Sequence, residues 1–369
     1  MHIHLISFDV PYPPNYGGVM DIFYKIKMLK ENNVDVSLHC FEYGRAEQNE
    51  LNKVCKEVFY YKRKLGLKYQ FSLLPYIIIT RNNNALLQNL LKNNAPILFE
   101  GLHCCYLLNN KTLQQRKKIV RMHNIEHNYY NSLAKAEKNI LKKIYFFIEA
   151  LKLKLFESKL KNANVIFAIS PNDKTYLIKQ FSNVSILPPF HFFNKVTSKP
   201  GKSNYSLYHG NLAVPENNEA AMYLTEKVFN DLETELIIAG NSPSQELENA
   251  VKKHKNIKLL PNLSTEEILH LVAEAHINVL PTFQSTGVKL KLLIALYTGK
   301  FCLVNTPMVE NTGLENLCVI ADKPKEMKNL IMVLLSKEFS ESEVNSRNNC
   351  LNKYYSPELS VKQIISVLE

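Results

Sequence analysis

Short β-branched or apolar runs alternate with stretches of helical period along nearly the whole chain, and that alternation confines it to α/β folds with parallel sheets. In the first half the runs fall at residues 4–7, 34–40, 95–99, 118–122 and 165–170, with helical periodicity between them at 19–32 and 84–91. Each pair of runs with its intervening helix makes a βαβ unit. The pattern lapses at 188–206, where PPFHFFNKVTSKPGKSN has the composition of an exposed connection. It then restarts with runs at 206–209, 235–239, 257–260, 277–280 and 301–305 and helices opening near 218, 244, 264 and 288. Ser264 followed by Glu267 is a capping box, so a helix start at 263–265 is expected from local chemistry alone.

A length of 369 residues exceeds one ordinary hydrophobic core and suits two. The expected organisation is therefore two Rossmann-like, doubly wound domains at 1–190 and 206–350, a linker at 191–205, and a terminal segment at 351–369 that crosses back to the first domain. With 46% hydrophobic and 21% charged residues, disordered, collagen-like and fibrous classes are excluded.

The 45 Lys and Arg against 34 Asp and Glu leave a charge of +11, which favours phosphates, nucleic acid or an anionic bilayer without choosing among them. Seven cysteines, an odd number without paired CxxC spacing, suggest a reducing, cytoplasmic compartment. The opening MHIHLISFDVPYPP lacks a basic region before a long apolar core, so it is expected to be a first strand rather than a signal peptide. The most apolar stretches are too short or too interrupted by charge for a membrane span.

Several places could carry chemistry. Gly17 and Gly18 lie in the loop between the first strand and first helix, where paired glycines admit an anion to a helix start or simply make a tight turn. Thr286, Gly287, Lys289 and Lys291 belong to STGVKLKLL, directly after a strand and opening a helix. Two lysines in a first helical turn oppose the macrodipole, and a bound anion would account for them, as would a solvated basic face. No GxxxxGK[ST] motif occurs. His123, Glu126 and His127 read literally as HxxEH, a zinc-hydrolase spacing, although the motif follows a strand instead of sitting within a helix. A cleft-facing His123 contacting substrate, or a hydrogen-bonded loop histidine, are the other readings. In PMVENTGLE, Glu310 or Glu315 could accept hydrogen bonds from sugar hydroxyls, or be solvated loop acids. Finally, YYKRKLGLK at 60–68 and a lysine-rich helix at 138–161 suit either a lipid interface or a core-packed helix with one basic face. No pattern of a nucleic-acid-binding module appears.

In order along the chain, PYPPNYGGVMDIFYKIKMLKENNVDVSL, RMHNIEHNYY, FAISPNDKTYL, YHGNLAVPENN, LIIAGN, NIKLLPNLSTEEILHLVAEAHINVLP and STGVKLKLLIALYTGKFCLVNTPMVENTGLE resemble a bacterial family 4-type glycosyltransferase of the GT-B fold. The resemblance implies retaining, metal-independent transfer from a UDP- or GDP-linked sugar bound by the C-terminal domain to an acceptor held by the N-terminal one. It implies no cofactor, the nucleotide-sugar being a substrate. Gly17 and Gly18 would donate backbone N–H groups to the diphosphate, Lys289 and Lys291 would neutralise it, and His123 would contact the transferred sugar. Asn211, Thr286, Gly287 and the segment from Glu310 through Thr312 to Gly313 would lie near the donor.

The chain also departs from that family. Glutamates usual at two positions are replaced by Thr286 and Ile294, and an Arg and a Lys expected after the second domain's first strand fall on Asn211 and about Asn217. The resulting expectation is a cytoplasmic enzyme, peripheral to the inner membrane through its basic surface, extending a lipid-linked or surface polysaccharide. The alternatives are a non-catalytic sugar-nucleotide or glycan-binding protein and, third, a zinc hydrolase using His123, Glu126 and His127.

Overall fold

The computed structural model describes residues 1–137, 139–283 and 289–369. Thr286 and Gly287 lie outside the described residues. Two compact units divide the chain: residues 1–192 together with 357–369, and residues 193–356.

The first unit is built on a seven-stranded sheet in the order β3-β2-β1-β4-β5-β6-β7. Its strands are β1 (His2–Ser7), β2 (Asp35–Glu42), β3 (Glu57–Lys62), β4 (Ile97–Glu100), β5 (Lys118–Arg121), β6 (Val165–Ala168) and β7 (Val184–Ile186). Every pairing is parallel. Central strands bury both faces, which is why they read as continuous apolar runs instead of alternating ones. Neighbouring residues go to opposite layers. Ile6, Phe99, Val120 and Ile166 join one core cluster, and Leu5, Leu98, Ile119 and Phe167 the other. The second cluster also takes Ile22, Ile26 and Leu29 from the Gly17–Glu31 helix and Val361 and Ile364 from the Pro357–Leu368 helix.

The second unit carries a six-stranded sheet in the order β10-β9-β8-β11-β12-β13. Its strands, again all parallel, are β8 (Tyr205–His209), β9 (Glu235–Ala239), β10 (Ile257–Leu260), β11 (Ile277–Val279), β12 (Phe301–Val304) and β13 (Val319–Ile320). Ser264 and Glu267 form the reciprocal capping box at the head of the Thr265–Glu274 helix.

In both sheets the strand order reverses once, between β1 and β4 in the first and between β8 and β11 in the second. At such a reversal the connections leave in opposite directions, so the strands' carboxyl ends open a crevice. No helix of the described residues is long and apolar enough to cross a membrane.

Candidate functional site

At the reversal of the first sheet, side chains from three elements meet in a buried polar cluster. Asp21 and Lys25 project from one face of the Gly17–Glu31 helix, Glu100 ends β4, Arg121 ends β5, and His123 follows β5. Lys25 Nζ donates to Glu100 Oε1 at 2.7 Å and lies 3.7 Å from Asp21 Oδ1. An Arg121 NH2 group is 3.3 Å from Asp21 Oδ2. His123 is held at both nitrogens: Nε2 is 2.8 Å from Glu100 Oε2 and Nδ1 is 3.6 Å from Asp21 Oδ2. The backbone N–H of Phe190 also donates to Asp21 Oδ1, at 2.8 Å.

Burial alone would raise both carboxyls, but neighbouring cations outweigh it. Lys25, Arg121 and His123 bring Asp21 below its ordinary value, and Lys25 with the His123 hydrogen bond does the same for Glu100. Asp21, Glu100 and His123 are close enough together to hold a metal ion. The positive charge there is already supplied by Lys25 and Arg121, each against a carboxylate, so the donor set is balanced by the chain's own cations.

The zinc-hydrolase reading fails on this geometry. His123 precedes the Glu126–Ala136 helix while His127 lies within it, and His127 Nδ1 is 3.0 Å from Glu157 Oε2, a different carboxylate from the one His123 meets. Two imidazoles on separate partners do not present one helical face to a metal. Glu126 is buried, its Oε1 has no hydrogen-bond partner, and it lies 3.7 Å from His103 Nδ1. Burial lifts the Glu126 carboxyl to about 8, while burial pushes the His103 imidazole well below its usual range. Burial thus favours the uncharged form of each, the protonated carboxyl of Glu126 and the neutral imidazole of His103.

Gly17 opens the first helix, and its N-cap residue Tyr16 makes no side-chain capping bond, its hydroxyl donating instead to Asp9 Oδ2 at 2.7 Å. Gly18 has a packing reason of its own: a Cβ there would stand 2.7 Å from Phe8 Cζ. The Phe8 ring in turn meets His123 edge-on at 5.3 Å and lies 5.4 Å from His103.

The reversal of the second sheet is arranged differently. Gly240 after β9 packs against Gly210 after β8 so closely that a Cβ on Gly240 would fall 1.9 Å from the Gly210 carbonyl oxygen. The chain leaving β8 then turns into the Pro215–Tyr223 helix, and Asn217 becomes a hub. Its amide nitrogen donates to the Asn211 carbonyl at 2.9 Å, and its amide oxygen accepts from Lys291 Nζ at 2.9 Å. Lys291 also donates to the Tyr208 hydroxyl at 3.2 Å and stands 4.9 Å over that ring. Burial brings the Lys291 ammonium down to about 8. His209, at the end of β8, is buried with Nε2 unpartnered, and burial lowers it to about 3, leaving a neutral imidazole.

Lys289, the N-cap residue of the Leu290–Thr298 helix, lies 3.1 Å from Glu216 Oε1, and the Thr282 hydroxyl also donates to that carboxylate. Asn211, Lys289 and Lys291 are thus gathered around the end of β8. Glu216 and His209 belong to the same group and were not singled out from the sequence. The only signal for Glu216 was its place in the first turn after β8. Asn217 stands where a lysine was expected, and Lys291 brings its ammonium to that amide from the other side of the reversal. Ile294, on the same helix, is partly buried and apolar.

The segment after β12 is organised around itself. Asn311 and Gly313 have φ of 60° and 78°, Glu315 accepts from the Thr312 backbone N–H at 3.2 Å, and the Thr312 hydroxyl donates to the Val309 carbonyl at 2.6 Å. Tyr355 adds a bond to the Thr312 carbonyl at 2.7 Å. Glu310 is exposed at its edge. The carboxylate engaged within the loop is therefore Glu315, with Glu310 outward.

No protein-family model matches the chain. It is 28% identical over 349 residues to an uncharacterized 44.6 kDa protein in the cps region of Klebsiella pneumoniae, covering 89% of this chain and 90% of that one. Among solved structures, the trehalose-6-phosphate synthase OtsA aligns at a TM-score of 0.65 with 11% identity, over 100% of this chain and 99% of the other. TarM aligns at 0.67 with 9% identity, over 100% and 98%. Anabaena HepE, in complex with UDP and glucose, aligns at 0.64 with 12% identity, over 100% and 99%. The chain has the GT-B fold: two Rossmann-like parallel-sheet domains, of seven and six strands.

Proposed function

We propose that the protein is a glycosyltransferase that takes a sugar from a nucleoside diphosphate donor, with the diphosphate held at the β8/β11 reversal. The observation that carries this reading is the Lys291 ammonium, buried at a strand-order reversal and bonded to the neutral oxygens of Tyr208 and Asn217. An ammonium removed from water without a directly bonded carboxylate is receptive to an anion, and a helix start beside it adds N–H groups and partial positive charge. As the glycosidic bond breaks, negative charge grows on the departing diphosphate, where such donors act most strongly. His123, its ring fixed between Asp21 and Glu100, would contact the transferred sugar. Neither role calls for a resident metal or cofactor.

Retention of configuration, a UDP or GDP donor and a lipid-linked or surface-polysaccharide acceptor complete the proposal. The first two rest on the sequence resemblance, and the last gains support from the relative in a cps region. A thermal-shift screen against UDP, GDP, their common sugar conjugates and ADP-glucose tests donor binding, since a ligand of the native state raises its apparent stability. Slow breakdown of the donor that binds would support catalysis, and the anomer of the product would test retention. The Lys289–Glu216 pair, which cancels one of the cations, favours as a second reading a site that binds a sugar nucleotide without turning it over. Binding with no breakdown is its signature, and no shift with any nucleotide defeats both readings.

A further inference from the structure

The Ile140–Glu157 helix has two apolar faces, and the fold uses one. Ala150, Leu153 and Phe156 are buried. On the opposite side Leu141, Ile144, Ile148, Leu151 and Leu155 recur at helical spacing and are all exposed, Leu141 and Leu155 at 75%. Helices of globular proteins present charge to solvent there, and a contiguous apolar stripe marks a surface that meets something apolar.

A second element extends the stripe. In the segment leading to the Tyr76–Ile79 turn, Leu65, Leu67, Phe71 and Leu73 are exposed, Phe71 at 87% and Leu73 at 94%. That segment is tied to the helix. Lys152 Nζ donates to the Ser72 carbonyl at 3.1 Å, and the Tyr76 backbone N–H donates to Glu149 Oε2 at 2.7 Å.

Charge selects among occupants. Lys62, Lys64 and Lys68 are exposed on the segment and Lys142 and Lys143 at the start of the helix. No Asp or Glu occurs from residue 58 to 81, and the helix's own acids, Glu149 and Glu157, are buried. A second copy of this face would bring lysine against lysine. A surface with an apolar interior and negative headgroups satisfies both components.

We propose that this face docks the protein on an anionic lipid bilayer, with Phe71, Leu73 and the outward stripe of the Ile140–Glu157 helix entering the headgroup region and the flanking lysines meeting lipid phosphates. The proposal is independent of the donor site, so each stands or falls alone. Its test is flotation of the full chain with phosphatidylcholine vesicles, with and without phosphatidylglycerol, alongside light scattering of the free protein. We expect binding only to the phosphatidylglycerol vesicles, weakened by 0.5 M salt. We expect it to be reduced at least tenfold in Phe71→Asp/Leu73→Asp and in Lys142→Glu/Lys143→Glu, with unchanged melting temperature because all four side chains are solvent-facing. Failure to bind anionic vesicles, or equal binding by both variants, overturns it. A dimer abolished by Phe71→Asp/Leu73→Asp would assign the face to a second copy and overturn it equally.

Discussion

The two strand-order reversals hold comparable numbers of ionisable side chains but settle their charges in opposite ways. At the first reversal Asp21 and Glu100 face Lys25, Arg121 and His123, and both of these carboxylates have a cation within a few ångströms. At the second, Glu216 is matched to Lys289, while among the described residues Lys291 meets only neutral oxygens by hydrogen bond. A balanced buried cluster fixes geometry, since each group orients the next; an unbalanced one leaves an electrostatic demand that a ligand can meet. By this comparison the first site positions His123 and the second receives an anion.

The largest expected effect comes from breaking the balance. Glu100→Ala would leave the Lys25 ammonium without its closest carboxylate and His123 without its Nε2 partner, at a cost of about 3–5 kcal/mol. Chemical denaturation measures it, and a loss below 1 kcal/mol would mean that the cluster is not held together by charge.

Glu126 sharpens the same side of the comparison, being buried without a cation bonded to it. Its folded value of about 8 lies above the ordinary 4.5, so the stability it contributes is complete below about pH 4.5 and is lost as pH rises through 8. Glu126→Gln should flatten that dependence, gaining on the order of 5 kcal/mol over the parent between pH 4 and pH 9. Parallel stability curves for the two proteins would contradict it.

On the other side, Lys291→Met should leave stability unchanged or slightly higher, because a desolvated ammonium is removed, while nucleoside diphosphate affinity falls tenfold or more. Titration calorimetry with the nucleotide that gives the thermal shift reads both constants. In the parent protein that affinity should also decline as pH passes about 8, where the amine loses its proton and its attraction for the diphosphate. Affinity that is flat from pH 7 to pH 9.5 would remove Lys291 from the site. Lys289→Ala should cost least, under about threefold, since Glu216 already neutralises that side chain. A loss equal to that of Lys291 would erase the distinction between the two lysines.

Much of this architecture is legible in one dimension because it depends on local period. The runs at 118–122 and 165–170 became β5 and β6, and Ser264 with Glu267 capped their helix as expected. Strands with weaker signals were missed. β3 runs into the stretch read as a basic, aromatic surface, and β7 and β13 are too short to show a period. The lysine-rich helix read at 138–161 ends at Glu157, followed by a 3-10 turn at Ser158–Asn162.

The residue types of the candidate site were equally visible in His123, Lys289 and Lys291, but their partners were not. Glu100 meets His123 across two adjacent strands, and Glu216 and Asn217 meet Lys289 and Lys291 across more than seventy positions of chain. No spacing rule links such residues, because parallel pairing brings together positions whose separation is set by the length of the intervening crossover. Sequence alone therefore determined the alternating architecture, the two units and the presence of cations at a helix start. Tertiary structure decided which of those cations is neutralised, since Coulomb energy and desolvation depend on distance and burial rather than on order along the chain.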